Sequence, residues 1–312
     1  MATSGSIDFT VDRDSIIKES LELLGVLGEG ESPSAAQLSS SSITLNMMVK
    51  AWQADGLNLF AIQRGYLFLE KSINEYTLSA STSNHWTSTF IETTVAVAAA
   101  ITDTTVELTS VVGVSSGDNI GIATGTDVHW TTINGAPAGN VVTLTDAMPA
   151  ASGIGSVVYS YTSKANRPMA ISSGYVHING GADIPLTNVS RSEYYSLANK
   201  TSDGLVNQFY YDPQVKTPSV FVWPQSSDET NYIIFIAQRT LEDFDAATDT
   251  ADFPQEWYLP LSYGLAVLLS PKYGLDPSSH LKLNRIATEW YEKAQGFDQE
   301  AYTSLFFRPE YD

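Results

Sequence analysis

The stretch whose reading decides the fold is DTADFPQEWYLPLSYGLAVLLSPKYG, residues Asp249–Gly274. Asp252 is placed to cap a helix whose first position is Phe253 or Pro254, because proline lacks only an N–H that would be unpaired there. Glu256 falls in the first turn, where the helix dipole favours negative charge. The run Leu265, Ala266, Val267, Leu268 and Leu269 then stops at Pro271 and Gly274. Nothing along it offers catalytic chemistry, so the segment is built to pack. Pro260 predicts either a kink or a helix that begins near Leu259.

Working outward, a second helix is predicted over 279–295. Two more precede the middle of the chain. The first covers Asp14–Leu24, with Ile17, Leu21 and Leu24 on one face and Gly25 ending it. The next runs from the cap Ser32-Pro33 to Gly56, with Leu38, Leu45, Met48 and Trp52 as its apolar stripe.

The 16 basic residues leave a gap, since no Lys or Arg occurs from Ser72 to Ser163. Within that gap, Thr94–Val97, Thr105–Leu108, Asn119–Ile122, Val141–Leu144 and Val157–Tyr161 read as strands. Asn134-Gly135 and Ala138-Gly139-Asn140 mark turns between them. Residues 82–163 are therefore read as a small all-β module inserted into a host domain made of 1–81 and 164–312, and expected to project away from it. In the host, strands are predicted at Tyr66–Leu69, Glu75–Leu78, Met169–Ile178, Gln208–Tyr211, Val220–Trp223 and Tyr232–Ala237, and a short helix at Ser192–Ala198. The fold class is α+β: a layer of N- and C-terminal helices packed with a central β region, plus the inserted β module and a tail, 302–312.

Composition bounds the chemistry. With 35 acidic residues and a net charge of −19, the surface repels a phosphate backbone, which disfavours tight nucleic-acid binding but permits DNA to pass without sticking. There is no cysteine, so no disulfide framework. The longest apolar run, 257–270, is too short to span a bilayer. The N-terminus shows no secretory pattern, and folding in a cytosol is expected.

The acidic cluster Glu242, Asp243, Asp245, Asp249, Asp252 and Glu256 lacks the spacing of a calcium loop and reads as a solvated loop with one helix cap. His85, His129, His177 and His280 are not spaced as metal ligands. The echo of His85-Trp86-Thr87 in His129-Trp130-Thr131 allows a sugar-binding face, although a strand tryptophan is more often core. No nucleophile elbow, phosphate loop or dinucleotide fingerprint occurs, so no catalytic residue, metal or cofactor is assigned. Paired carboxylates for glycan hydrolysis stay open as an alternative, because sequence cannot select a pair. Tyr302, Leu305, Phe306, Phe307, Arg308 and Tyr311 crowd the C-terminus, and so apolar an end is expected to dock, preferably on a partner.

Four blocks, in order, resemble the head-to-tail adaptor proteins of short-tailed bacteriophages, also called head-completion, tail tubular or packaged-DNA stabilisation proteins. They are Leu45–Gly56 (LNMMVKAWQADG), Arg167-Pro168, Ser190–Tyr195 with Phe221–Pro224, and Asp252–Gly274. The resemblance covers most of residues 10–300 outside the insert, which the smaller adaptors lack. It implies a structural virion protein at the head–tail junction, assembled in the host cytoplasm without cofactor or membrane. Its copies form a ring, often dodecameric, under the portal, retain packaged DNA and present a surface to the tail tube, nozzle or fibres. Double-stranded DNA passes through the ring without specific binding. The C-terminal tail would dock on the portal, while Leu45, Met48, Trp52, Trp257, Leu265 and Leu268 would pack subunit against subunit. The alternative function is a tail-associated peptidoglycan hydrolase.

Overall fold

In this computed structural model the described residues are 5–54, 59–82, 84–125 and 127–298. The chain is α+β. It divides into two compact units, 1–61 with 241–312, and 62–240.

The first unit is helical: α1 (Arg13–Leu23), α2 (Ala35–Ala54), α4 (Tyr258–Leu269) and α5 (Pro277–Phe297), with α3 lying in the other unit. Asp12 caps α1 by accepting the Ser15 N–H at 2.8 Å. Gly25 follows its end at φ +68°, a conformation glycine adopts without strain. The start of α2 falls later than Ser32-Pro33. Ser34 and Gln37 form the reciprocal pair instead: Ser34 Oγ accepts the Gln37 N–H at 3.3 Å, and Gln37 Oε1 accepts the Ser34 N–H at 2.8 Å.

A 3-10 turn, Gln255–Trp257, leads into α4, so Pro260 occupies the first turn, where its missing N–H costs nothing. Asp252 does not cap this helix. Its carboxylate accepts the Glu242 N–H at 3.2 Å and ties down the preceding loop. α4 is apolar nearly all round because α1, α2 and α5 all pack against it. Ile16, Ile17, Leu21, Leu45, Val49, Leu261, Leu265 and Leu269 are buried there. Ser20 adapts the α1–α4 contact by donating to the carbonyls of Ile16 and Ser262 at 2.7 and 2.9 Å. Asp276 caps α5 and accepts the Ser278 and Ser279 N–H groups, and these bonds hold its carboxyl well below the usual range.

Among its described residues the second unit contains α3 (Arg191–Ser196), capped by the Ser190/Glu193 pair, and sixteen strands. Eight make one sheet: β1 (Ile62–Phe68), β2 (Glu75–Thr77), β3 (Trp86–Thr87), β10 (Ala170–His177), β11 (Asp183–Asn188), β13 (Gln208–Asp212), β14 (Ser219–Trp223) and β16 (Tyr232–Gln238), in the order β2-β14-β13-β11-β10-β16-β1-β3. Pairing is antiparallel except between β11 and β13. β12 (Asp203–Gly204) and β15 (Gln225–Ser226) make a small parallel pair.

The remaining strands pair only with one another: β4 (Ile91–Thr94), β9 (Val157–Tyr161), β6 (Asn119–Ala123) and β7 (Val128–Thr132) as one sheet, β5 (Thr105–Glu107) with β8 (Val141–Thr143) as a second. The self-contained module thus begins after Thr87, since β3 belongs to the larger sheet. Nor does the module project freely. One face of its four-stranded sheet packs Ile120, Ile122 and Val158 over Val106, Leu108 and Val142. The other face sets Tyr159 and Tyr161 against Phe68 and Tyr232 of the larger sheet. Every residue of β9 is consequently buried. The physical reason is legible in VVYSY: side chains alternate across a strand, so tyrosines opposite an apolar face demand a second covering layer.

Gly65 in β1 shows how tightly the larger sheet is filled. A Cβ there would lie 1.9 Å from Cη2 of Trp86, whose indole is 1% exposed and donates to the Asn166 carbonyl at 3.1 Å. Gly65→Ala is expected to destabilise the protein by about 2–3 kcal/mol, because neither the indole nor the strand has room to yield. Urea unfolding followed by tryptophan fluorescence checks this; a midpoint within error of wild type contradicts the packing.

Candidate functional site

The sequence blocks Leu45–Gly56 and Asp252–Gly274 meet in the helical unit through an aromatic cluster. Trp52 lies 6.0 Å from Trp257 and 5.0 Å from Tyr291, ring centre to ring centre, and Trp257 lies 5.7 Å from Tyr291. Phe60 and Phe253 close the cluster, at 5.9 and 5.8 Å from Trp257. Gly264 makes it possible: a Cβ on α4 would come within 2.8 Å of the Trp52 ring. Beside the cluster a groove of about 240 Å³ opens between three helices. Met48 and Trp52 of α2, Val267 and Leu268 of α4, and Asn284, Ala287, Thr288 and Tyr291 of α5 line it, with Gly264 at its floor.

The residues assigned to subunit packing divide here. Leu45, Met48, Trp257 and Leu265 are buried in the unit's own core, and Trp52 is partly buried against it. They pack the helical unit itself, with Met48 and Trp52 also reaching the groove wall. Leu268 is 47% exposed. The apolar side chains that do face outward are Ile43 and Met47 on α2, Leu259 and Leu268 on α4, and Leu281 and Phe297 on α5. Sequence periodicity missed Ile43 and Met47, which fall off the buried stripe; their spacing of one helical turn was the available signal. Tyr302, Leu305, Phe306, Phe307, Arg308 and Tyr311 lie outside the described residues.

The acidic segment folds on itself. Asp249 accepts the N–H groups of Asp245 and Ala246 at 2.8 and 2.6 Å, and Lys50 pairs with Asp243 at 2.6 Å. Among the described residues no group of His, Asp and Glu is arranged to hold a metal ion. No described helix is long and apolar enough to cross a membrane.

In the β unit, the two His-Trp echoes converge instead of forming exposed platforms. His85 stacks on Trp130 at 3.7 Å with an 11° tilt, and its Nδ1 lies 2.5 Å from the Tyr161 hydroxyl. Burial, with a smaller contribution from Lys164, pushes the His85 imidazole down to about 3. Tyr232, under the same layer, is pushed up to about 12 by burial and then by the carboxylates of Glu92 and Asp183. Among the described carboxyls Glu70 is shifted in the direction a glycan hydrolase's acid requires: burial, then the charge of Asp127, raises it above its ordinary range. Its backbone, however, is bound to the buried Tyr76 hydroxyl, which accepts the Glu70 N–H at 2.9 Å.

No family model matches the chain, and no curated protein matches it significantly.

Proposed function

We propose that this chain is a structural virion protein, a ring-forming adaptor that docks under a portal, retains packaged DNA and offers an attachment surface to the tail. The observation that carries the reading is the helical unit. Two of the four sequence blocks on which the adaptor resemblance rests fold together there around Trp52, Trp257 and Tyr291. That unit also keeps apolar side chains on the outside of three different helices.

A closed ring needs heterologous contacts, in which one surface of a subunit meets a different surface of the next. Ile43 and Met47 on α2, and Leu281 on α5, supply two such candidate surfaces. They replace Leu45, Met48, Trp257 and Leu265 as the proposed wall. The net charge of −19 is compatible with a lumen that releases DNA.

The test is electron microscopy of the purified chain mixed with a portal, beside a chain lacking Leu305–Asp312. The full chain is expected to form rings on the portal. The shortened chain is expected to keep its circular dichroism and thermal transition while losing attachment. Attachment that survives the deletion overturns the role given to the tail, and no ring on any portal overturns the adaptor reading. Clearing of peptidoglycan by the pure protein, abolished by Glu70→Gln, would replace that reading with an enzymatic one.

A further inference from the structure

We propose that the arm formed by residues 6–11 of one copy hooks Ile7 into the groove between α2, α4 and α5 of a second copy. Apolar and polar residues alternate in the arm, SIDFTV, which puts Ile7, Phe9 and Val11 on one side of an extended chain. An antiparallel bridge between Asp12 and Thr250 fixes the base of the arm to the helical unit. Val11 packs on that unit's core, Phe9 keeps 66% of its surface exposed, and Ile7 keeps 91%. The apolar row thus runs off the edge of its own subunit.

The arm cannot use its own groove while its contacts hold. Phe9 lies against Tyr258 at 5.9 Å, ring centre to ring centre, and the Ile7 carbonyl accepts a hydrogen bond from Gln255 Nε2 at 2.9 Å. Gln255 precedes Tyr258, so the arm runs away from the groove, whose Gly264 and Leu268 lie about 9 and 15 Å past Tyr258 along α4.

Charge points to a second copy. Each copy carries a net charge of −19, so two copies repel over most of their surfaces and meet at least cost where charge is absent. The groove walls carry no charged side chain, and Asn284 offers an amide to the arm's backbone. Asp8, on the alternate side of the arm, stays in solvent. A cavity of about 150 Å³ holds a benzene ring, so about 240 Å³ admits an isoleucine side chain. Hook and groove lie at different ends of α4, which makes the contact heterologous, as a ring requires. The inference rests on the ring reading for its purpose, but its test uses no portal.

Because the chain has no cysteine, introduced thiols report cleanly. Two single variants, Ile7→Cys and Thr288→Cys, mixed at submillimolar concentration with a short bis-maleimide, are expected to give the mixed dimer at least tenfold faster than Ile7→Cys mixed with Glu29→Cys. Equal rates overturn the proposal. A cross-linked monomer formed at that faster rate by the double variant, Ile7→Cys with Thr288→Cys, assigns the groove to the chain's own arm and overturns it too. Leu268→Asp alters an exposed groove residue and is expected to slow the mixed cross-link at least fivefold; an unchanged rate overturns the seat. Rings on a portal without this cross-link overturn the contact and leave the adaptor reading standing, whereas the cross-link in a chain that forms no ring does the reverse.

Discussion

Trp257→Ala is expected to unfold the helical unit at room temperature or leave it barely stable. The indole is 2% exposed and touches the rings of Trp52, Phe60, Phe253 and Tyr291. Removing so large a buried aromatic costs about 3–5 kcal/mol, through lost transfer energy and the cavity left behind. That is a large fraction of the whole stability of a domain. Four aromatic neighbours anchored on four different segments cannot all collapse into the hole. Trp257→Phe should cost less than half as much, because a ring still fills the centre. Leu268→Ala, at an exposed position, should stay within about 0.5 kcal/mol of wild type.

Calorimetry distinguishes these outcomes. Since the chain divides into two compact units, Trp257→Ala is expected to split off a low-temperature transition while a second one, reporting the β unit, stays in place. A single unshifted transition would show that Trp257 is not the keystone of the helical unit. If the exposed faces of α2, α4 and α5 build the ring, the same variant also fails to assemble, whereas Leu268→Ala retains its fold.

The α+β class was legible because helix and strand periods separate cleanly along this chain. α1, α5 and β9 could be drawn to within two residues, since caps and β-branched runs mark them chemically. Local rules failed where tertiary contacts decide. Asp252 has every attribute of a cap, yet it serves a loop N–H, because the 3-10 turn at Gln255–Trp257 moves the start of α4 to Tyr258. β7 and β11 were not read as strands; VHWTT and DIPLTN are polar, and a proline interrupts the second, so neither declares itself without partners.

The candidate site was half legible. Trp52 and Trp257 could each be picked out as apolar anchors. What sequence could not supply is direction: Met48 and Leu265 turn into their own core, and Ile43 and Met47 turn outward. Hydrophobic pattern gives the buried face of a helix only relative to neighbours whose positions are not yet known. The groove is a product of three helices from both ends of the chain, so no local window contains it.

Acid is expected to weaken the β unit through His85, and the sign follows from the direction of its shift. In the unfolded chain the imidazole takes up a proton near pH 6.5, while in the folded protein burial delays this to about pH 3. Between those values the unfolded state binds a proton that the folded state refuses, so stability falls as pH falls. The contribution is fully present above pH 6.5, declines at up to about 1.4 kcal/mol per pH unit below it, and amounts to about 3 kcal/mol lost by pH 4. His85→Phe keeps a ring on Trp130 and forfeits only the bond to Tyr161, at a cost of about 1 kcal/mol near neutral pH. Carboxylates elsewhere titrate in both proteins and cancel in the comparison. Urea midpoints measured from pH 7 to pH 4 are therefore expected to cross at about pH 6, with wild type more stable at pH 7 and the variant more stable at pH 5 and below. Parallel curves would mean that His85 accepts its proton without disturbing the layer of Trp130, Tyr161 and Phe68, and that this layer is wetter than its packing implies.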